Sequence, residues 1–411
     1  MLIKSDCLFD NKCVEWKLLD FYGTDEKLNA YPSLYIYGAG MVGKMVLIYL
    51  QKKGIGDRVK AFLVSNILKE DERFVEGIEV LSVGERKMTN TDMVILAAKR
   101  AIRIEMRENC QQLGILTNLE IDVFDDRTEE YYASIPEAAY PLELKHWYKL
   151  SMGEELNLNN PLTFNEKINW MKLYDRDPRK AIYADKFLVR KYIKEKIGEK
   201  YLVPLLGVRD RFDDIDFAAL PSQFVLKCNH GSGWNLIVKD KTKINFDDAK
   251  KKFDCWINTN FAYKAGFELH YRDITPKMIA EKYISEIDRD VLYDYRFYCF
   301  NGNPIYVWVD SGSGTSNHKR TIFSIEWKKQ DYTVNYPNIL PCPSKPDNYT
   351  EMLECAKKLS EGFIFVRIDL YSINGKIYFG EMTFTPQSGR ANWEKEEINM
   401  YYGSLIKLPI D

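Results

Sequence analysis

The chain has 411 residues, of which 45% are hydrophobic and 29% are charged. This composition is typical of a globular protein and excludes a largely disordered or collagen-like chain, and at roughly 150 residues per domain the length predicts two or three domains. The formal net charge of −2 excludes a strongly basic surface, so we expect neither nucleic acid nor an anionic membrane as a partner.

The first 30 residues are too polar for a signal peptide, and the longest apolar runs have only the length of strands. Because a spanning helix needs roughly 20 apolar residues, we predict a soluble, cytoplasmic protein without an integral membrane span. No two cysteines have C-x-x-C spacing, and the four histidines are not at helix or hairpin spacing. Both observations argue against a structural zinc site or another transition-metal site.

Residues 34–42 predict a strand that enters a glycine turn. The glycines of this turn fit the pattern G-x-G-x-x-G: Gly38, Gly40 and Gly43. A helical pattern follows over 44–53, and two more apolar runs cover 59–64 and 93–98. Strands that alternate with helices form parallel sheets, so we predict a Rossmann-like α/β domain over residues 1–130.

A dinucleotide site also needs an acidic residue about 20 residues further on, at the end of the second strand, to hold the ribose. Here the second strand ends Val64-Ser65-Asn66, without a carboxylate. Only the glycine half of the fingerprint is present, which favours tight packing of strand on helix as the reason for the glycines. An NAD-dependent sugar enzyme is the alternative.

Residues 126–150 are acidic and then contain prolines, and we place a domain boundary there, with a second domain over 131–411. Beyond it, Thr163 and Glu166 have the spacing of a capping box that opens a helix. Another helix is predicted near Ala181–Lys196. The remaining chain mixes short strands and helices, which predicts an α+β arrangement rather than a second parallel sheet.

The segment Phe224–Gly233 is an apolar strand with Lys227 inside it, and it runs into a glycine loop. A lysine in a buried strand is costly unless it meets an anion, and a glycine loop lets backbone N–H groups approach phosphate oxygens. The segment therefore predicts a phosphate-contacting lysine and loop. A lysine that snorkels from an edge strand is the alternative.

Two later strands also carry charged residues. Met278–Ile284 contains Glu281 and Lys282, which by themselves fit a half-exposed strand with a charged outer face. Asp294–Phe300 places Arg296 among aromatic residues, where an arginine either pairs with an acid or contacts phosphate.

Two strand-like runs, 363–371 and 377–384, flank the Asn-Gly pair 374–375, which predicts a β-hairpin. A plain two-residue turn would mix polar and apolar residues on both faces. A turn with one extra residue, closed by glycine in the left-handed region, places Ile368 opposite Met382 and gives one clean apolar face.

The other face of this hairpin then pairs Asp369 with Glu381 and Arg367 with Thr383. Opposed residues lie about 4.5–5.5 Å apart at Cβ, where two carboxylates repel each other. A proton, a salt bridge to Arg367 or a hard divalent cation each relieves the repulsion, and an ordinary exposed polar face is the alternative. We predict a metal site, at which Arg367 also favours phosphate.

Taken in order, these segments resemble the ATP-grasp superfamily, and most closely its teichuronopeptide-biosynthesis (TupA-like) branch. The resemblance covers roughly residues 140–408. The segments that carry it are Asn160–Trp170, Ala184–Lys186, Phe224–Gly233, Ile279–Ile284 and Phe379–Phe384. It implies a two-subdomain ATP-grasp fold, which grips ATP and Mg²⁺ as cofactors.

The resemblance also implies roles for single residues. The residues implied to contact the nucleotide and its phosphates are Lys186, Lys227, Gly231, Ser232, Gly233, Glu281, Lys282 and Ile284. Arg296 and Arg367 would act as catalytic residues that face the transferred phosphoryl group. The implied magnesium ligands are Asp369, Glu381 and Thr383, the last at a position where many members carry asparagine. Candidates for the acceptor side are Asn229, His230 and Arg390.

The activity that the resemblance implies is an ATP-dependent carboxylate–amine ligase, which forms an amide bond through an acyl phosphate. The branch further implies a role in capsular or other surface polysaccharide biosynthesis, with a uronic-acid carboxylate and an amine as small-molecule substrates. The alternatives are an ATP-dependent sugar kinase or phosphotransferase and a non-catalytic nucleotide-binding scaffold.

Overall fold

The computed structural model describes residues 28–52, 54–65, 73–98, 100–115, 117–120, 129, 132–152, 154–264, 266–285, 292–315 and 317–409. The chain divides into two compact units, Met1–Glu155 and Leu156–Asp411. The first unit extends past residue 130 because the helix Tyr140–Met152 packs against the helix Met41–Lys52. The domain limits 1–130 and 131–411 stay a prediction.

The first unit contains a six-stranded sheet with helices. Its strands are β1 (Ser33–Tyr37), β2 (Val59–Val64), β3 (Phe74–Val75), β4 (Ile78–Ser82), β5 (Asp92–Leu96) and β6 (Asn118–Glu120). Its helices include α1 (Met41–Lys52), α2 (Arg100–Gln112) and α3 (Tyr140–Met152). The strand order is β3-β4-β2-β1-β5-β6, and the pairings are parallel except for the β3–β4 hairpin.

Apolar residues line both faces of this sheet. Leu34 and Ile36 of β1 belong to one buried cluster, whereas Tyr35 and Tyr37 belong to another. A parallel sheet is covered by helices on both faces, so its strands are apolar throughout instead of alternating. The Rossmann-like parallel sheet predicted from the sequence is therefore confirmed.

Two of the three glycines after β1 are required by packing. Gly38 has φ +117°, and a Cβ there would lie 2.3 Å from Ala97 O. A Cβ on Gly43 would lie 1.8 Å from Gly38 O, whereas Gly40 has nothing within 4 Å. Close approach of strand, turn and helix is thus a sufficient reason for Gly38 and Gly43, as the absence of a ribose-binding acid suggested.

The second unit contains two antiparallel sheets, of order β7-β10-β8-β9 and β13-β12-β11-β14-β15. The strands are β7 (Leu205–Arg209), β8 (Phe224–Cys228), β9 (Asn235–Val238), β10 (Met278–Lys282), β11 (Tyr293–Phe300), β12 (Asn303–Ser311), β13 (Lys319–Ser324), β14 (Phe365–Ile373) and β15 (Lys376–Thr383). The helices include α4 (Phe164–Tyr174), α5 (Arg179–Ala184), α6 (Val189–Lys196), α7 (Phe246–Ile257), α8 (Phe261–Lys264), α9 (Tyr349–Ser360) and α10 (Glu396–Ser404). The predicted α+β arrangement is confirmed.

The capping box that opens α4 forms as predicted. Thr163 Oγ1 accepts from Glu166 N at 3.2 Å, and Glu166 Oε2 accepts from Thr163 N at 2.9 Å. Phe164, the first residue of the helix, is fully buried. Its ring packs edge-on against the ring of Phe365 in β14, with 5.3 Å between the ring centroids. The cap therefore fixes the helix where it packs on the five-stranded sheet.

The single helix predicted over 181–196 is wrong. The chain forms α5 and α6 with a turn between them, because Asp185 Oδ1 accepts from the N–H groups of Phe187 (2.7 Å) and Leu188 (3.1 Å). A side chain that captures backbone donors in this way competes with helical hydrogen bonding. The turn carries Lys186.

The five-stranded sheet has two different faces. Helix α9 covers one face, where Tyr349 lies 6.0 Å from Phe297 between ring centroids. The opposite face carries the aromatic residues Tyr298 and Trp308 and then, further along the strands, charged residues. None of the helices in the described ranges combines the length and the hydrophobicity that crossing a bilayer requires.

Candidate active site

Strands β14 and β15 place Asp369 directly opposite Glu381 and Arg367 directly opposite Thr383. On the other face Ile368 lies opposite Met382. The predicted register is therefore confirmed, and the two carboxylates lie on the same side of the sheet.

The prediction that the extra residue of this hairpin lies in the turn is wrong. Asn374 and Gly375 form a two-residue turn with positive φ at both positions, closed by the pair Ile373 and Lys376. The irregularity lies further along, at Gly380, which has no partner in the β14–β15 register. A Cβ on Gly380 would lie 3.0 Å from the Tyr371 ring and 3.1 Å from Asp369 O, which accounts for a glycine in this bulge.

Arg367 joins the two carboxylates. Its Nε and Nη2 donate to the two oxygens of Asp369, each at 2.6 Å, and Nη2 also donates to Glu381 Oε1 at 2.9 Å. Of the ways to relieve the repulsion, the structure shows the salt bridge. Burial raises the pKa of Asp369 to about 6, although Arg367 and Arg296 oppose the shift.

Arg296 of β11 is surrounded by acids. Its Nη1 pairs with Asp310 Oδ2, and its Nη2 donates to Asp294 Oδ2 and to Ser313 Oγ, both at 3.2 Å. Its Nε lies 3.5 Å from Asp369 Oδ2. Of the two roles that the sequence left open for Arg296, the structure shows pairing with acids.

The glycine loop between β8 and β9 has a buried base and an exposed tip. Lys186 Nζ donates to Gly231 O, which anchors the base. A Cβ on Gly231 would lie 2.5 Å from the Trp234 ring, so glycine is required there. Ser232 and Gly233 are exposed, and Gly233 has φ +73°. Two of the three residues that were expected to cover phosphates, Ser232 and Gly233, are thus exposed, whereas Gly231 is buried.

Lys186, in the turn between α5 and α6, and Glu381 of β15 influence each other electrostatically. Burial lowers the pKa of Lys186, and Glu381 opposes that shift more than any other charge. Burial also disfavours ionisation of Glu381, but Lys186 and Arg367 hold its pKa below the ordinary value. Lys186 and the acid pair therefore belong to one electrostatic site.

Lys227 pairs with an anion, as predicted for an interior lysine, and the anion is the carboxylate of Glu281. Lys227 Nζ lies 2.6 Å from Glu281 Oε2, while Arg190 Nη1 donates to Glu281 Oε1 at 2.8 Å. Glu281 is only 6% exposed, so the interpretation of its strand as one with a charged outer face is wrong at this position. Arg190 is held in turn by Val203 O at 2.7 Å.

The two hinge candidates after Glu281 are more accessible. Lys282 ends β10 with an exposed side chain, and its N–H donates to Pro204 O at 2.9 Å. Ile284 is half-buried. Both follow the buried glutamate directly in the chain, so the three hinge candidates lie within one short segment.

Asn229 and His230 are buried at the base of the glycine loop. Asn229 Nδ2 donates to Asp185 Oδ2 at 2.8 Å, and its Oδ1 accepts from Lys277 N at 2.7 Å. His230 Nε2 lies 3.1 Å from Trp256 O, and burial lowers the pKa of its ring. In this geometry neither side chain faces solvent, so both support the loop instead of presenting polar atoms to an acceptor.

The segment 385–390, which follows β15, is held by helix α4. Gln387 and Ser388 have φ of 48° and 54°, a conformation that residues other than glycine rarely adopt. Lys172 Nζ donates to Ser388 O at 2.7 Å, and Asn169 Nδ2 donates to Gly389 O at 2.9 Å. These contacts stabilise the strained turn.

Behind this segment lies a buried group of charges. Burial lowers the pKa of Lys172 to about 7, and it raises the pKa of Glu268, which accepts from Thr385 Oγ1 at 2.6 Å. Arg390 is half-buried. Burial lowers the pKa of its guanidinium, and the negative charge of Glu268 opposes that shift. Arg390 therefore belongs to the same electrostatic group as Lys172.

Three charged residues near the site were not predicted from the sequence: Asp310, Lys172 and Arg190. Asp310 stands two residues after Trp308 in a continuously buried stretch of β12, and Lys172 stands four residues after the buried Ile168 on a helix. A charged residue at a periodic core position was the available signal for both. Nothing comparable marked Arg190.

The acid pair suits a magnesium ion. Magnesium takes oxygen ligands and is usually held by one or two carboxylates together with waters and substrate phosphates, a set that Asp369 and Glu381 fit. In the part of the chain that the structure describes, no group of three or more His, Cys, Asp or Glu is arranged to hold a metal. Thr383 Oγ1 donates to Glu381 Oε1 at 3.1 Å, so in this structure it orients the glutamate.

The model of the TupA-like ATP-grasp family matches residues 166–407, which is more than half of the chain. The chain belongs to this family. The five strands that carry this site all lie inside the matched range: β8, β10, β11, β14 and β15. A search of curated proteins found no match to this ATP-grasp chain.

Solved structures of ATP-grasp enzymes are similar at low identity. The D-alanine–D-alanine ligase from Bacillus anthracis has 14% identity and a TM-score of 0.30, with 86% of this chain and 87% of that chain covered. The enzyme of the same name from Helicobacter pylori has 13% identity and a TM-score of 0.33, with 92% and 99% covered. ATP-grasp ligase PsnB, solved with a minimal precursor, has 10% identity and a TM-score of 0.31, with 91% and 99% covered. At these values the similarity carries no argument about chemistry.

Proposed function

We propose that this ATP-grasp protein is an ATP-dependent carboxylate–amine ligase with ATP and Mg²⁺ as cofactors. The observation that carries the proposal is the pair Asp369 and Glu381, opposed on one face of a hairpin, bridged by Arg367 and within electrostatic range of Lys186. Carboxylates, arginines and a half-buried lysine around one place are what phosphoryl transfer needs, since its catalysis is mostly positioning and charge neutralisation.

The proposed nucleotide site follows the charges. Lys186 and Lys227 contact the phosphates, Gly231, Ser232 and Gly233 cover them, and the segment with Glu281, Lys282 and Ile284 reads the adenosine. Asp369 and Glu381, with Thr383 as a third candidate, would hold magnesium, which would neutralise the charge of the phosphates. Arg367 and Arg296 face the phosphoryl group.

The proposed reaction has two steps. A carboxylate oxygen of the substrate attacks the γ-phosphorus, the bond to the β–γ bridging oxygen breaks, and ADP leaves. The amine then attacks the carbonyl carbon of the acyl phosphate, loses a proton and expels phosphate, which forms the amide. Arg367 and Lys186 stabilise the negative charge that both steps carry.

The proposed substrate is a uronic-acid carboxylate of a nucleotide sugar or glycan, and the process is surface polysaccharide biosynthesis. Both rest on the family. Arg390, at the end of the strained segment 385–390, is the residue that we propose for the acceptor side.

A substrate screen tests the proposal. Nucleotide-linked uronic acids and amines are combined with ATP and Mg²⁺, and ADP release and product mass are measured for the wild type and Glu381→Gln. A ligase gives a product whose mass is that of acid plus amine less water, and Glu381→Gln loses it. A stable phosphorylated sugar without amine would indicate a kinase instead. Nucleotide binding without ADP release in any combination would indicate a scaffold.

A further inference from the structure

Every strand of the five-stranded sheet contributes a charged side chain to one row. In the order of the strands β13 to β15, the row is Arg320, Asp310, Arg296, Asp369 and Glu381. Arg320 is opposite Asp310 in the β12–β13 register, and Arg296 is opposite Asp369 in the β11–β14 register. Between β12 and β11 the row steps by two residues, because Asp310 is opposite Asp294 and lies diagonally from Arg296. The acid pair of the candidate site is thus one end of a longer series of charged residues.

Asp310 is the most enclosed member of the row. It has no exposed surface, and Arg320 donates to its two oxygens from Nε and Nη2, each at 2.6 Å. His318 Nε2 lies 2.9 Å from Asp310 Oδ2, the oxygen that also takes Arg296 Nη1. A buried carboxylate with this many donors is held rigidly.

The Asp310 carboxylate helps to fix the position of the Arg296 guanidinium. Nη1 of Arg296 is drawn to Asp310 and Nη2 to Asp294 and Ser313, which leaves Nε near Asp369 at 3.5 Å. Within the described residues, that Nε–H is buried and has no hydrogen-bond acceptor. Arg296 is therefore held close to Asp369 without donating to it, and Arg367 alone donates to both oxygens of Asp369.

We propose that Asp310 is a positioning residue, which keeps Arg296 from closing onto Asp369 and so leaves the acid pair available to the magnesium–nucleotide complex. The proposal rests on the proposed function for the identity of that ligand. Without the negative charge at Asp310, Asp369 is the acid nearest to Arg296 apart from Asp294, which already accepts from it. A second guanidinium that donates to Asp369 competes with a metal for the carboxylate oxygens. Partners that orient a metal ligand typically change metal affinity or activity by about 10–100-fold when they are lost.

Asp310→Asn tests the proposal by geometry and by function. In a crystal structure of the ligand-free variant, we expect Arg296 to donate to Asp369 at hydrogen-bond distance. In ADP-release assays, the Mg²⁺ concentration for half-maximal rate should rise by about 10-fold or more. His318→Gln is the control, since it removes another partner of Asp310 and leaves its charge, so neither readout should change. An Arg296 that stays at its present distance from Asp369 overturns the proposal, whether or not the enzyme is a ligase.

Two further variants separate positioning from folding. Ser313→Ala removes an exposed partner of Arg296 and should shift the Mg²⁺ requirement in the same direction by a smaller factor. In an Arg296→Gln background, Asp310→Asn should add no further shift, because its effect acts through Arg296. If the two effects are instead multiplicative, Asp310 has only a structural role, and the proposal is wrong. A wild type without ATP-dependent activity would remove the proposed function and still leave the crystallographic test.

Discussion

Lys227 Nζ lies 2.6 Å from Glu281 Oε2, between the adjacent strands β8 and β10. The lysine side chain is 22% exposed and the glutamate 8%. The charge of the interior lysine is therefore balanced by a buried carboxylate. A triphosphate that binds Lys227 therefore competes with Glu281 for the lysine ammonium group.

Replacing the lysine tests this pair. In Lys227→Met, Glu281 keeps only Arg190 as a cationic partner, so we expect a loss of about 2 kcal/mol in the free energy of unfolding and a weaker affinity for ATP. Urea unfolding and nucleotide titration measure the two effects. Lys239→Met, at an exposed position, should change neither. Unaltered ATP affinity in Lys227→Met would argue against Lys227 as a phosphate ligand.

The glycine bulge offers a test of register. In Gly380→Ala the new Cβ presses on Tyr371 and on the backbone of Asp369, so we expect a loss of about 1–3 kcal/mol and a larger loss of activity, because Glu381 moves relative to Asp369. Gly375→Ala in the turn of the same hairpin is the control. It strains a residue with φ +76° by about 1 kcal/mol but leaves the carboxylates opposed, and activity should persist.

The acid pair should govern the binding of Mg-ATP. In Asp369→Asn and Glu381→Gln we expect the affinity for Mg-ATP to fall by about 10-fold or more, whereas Glu361→Gln, an exposed residue, should bind like the wild type. Isothermal titration calorimetry measures the affinities. Equal affinities for all four proteins would remove the metal assignment.

Lys172 should make stability depend on pH. Its pKa in the folded chain is lowered to about 7, whereas an unfolded lysine titrates near 10.4. Between these values the unfolded chain binds more protons, so the free energy of unfolding rises with pH, by up to about 1.4 kcal/mol per unit. Lys172→Met should lose this slope between pH 7 and 9 in urea unfolding. Parallel slopes for variant and wild type would contradict the expectation.

The glycines of the first unit separate packing from nucleotide binding. Gly43→Ala places a Cβ 1.8 Å from Gly38 O and should strongly destabilise the first unit, whereas Gly40→Ala meets nothing and should be nearly neutral. Thermal unfolding followed by circular dichroism compares the two. NAD binding that Gly40→Ala abolishes would restore the dinucleotide interpretation.

Much of the fold followed from local patterns in the chain. The apolar runs of β1, β2 and β5 predicted a parallel sheet, and the alternation along β14 and β15 was sufficient to set Asp369 opposite Glu381. The cause of that register was not predictable in the same way. An extra residue at the turn and a bulge at Gly380 give the same pairing, and only the contact with Tyr371 distinguishes them.

The partners of the charged residues were harder to predict. Lys227 was recognised as needing an anion, but that anion, Glu281, comes from another strand and is itself held by Arg190 of α6. The order of residues does not reveal such long-range pairs. Asn229 and His230 beside a glycine loop suggested an acceptor site, yet their polar atoms are used by Asp185, Lys277 and Trp256. Burial is a property of the packed chain and is only weakly encoded locally.

The bridge that Arg367 makes between Asp369 and Glu381 has a consequence for selectivity. Since an internal cation already satisfies both acids, a bare divalent ion would have to displace a guanidinium that then has no counter-charge. An ion that arrives bound to a triphosphate brings the counter-charge with it, because the phosphate oxygens offer Arg367 a new partner. We therefore expect the protein without nucleotide not to bind free Ca²⁺ or Mg²⁺ from solution. It should bind the metal only as a complex with the nucleotide.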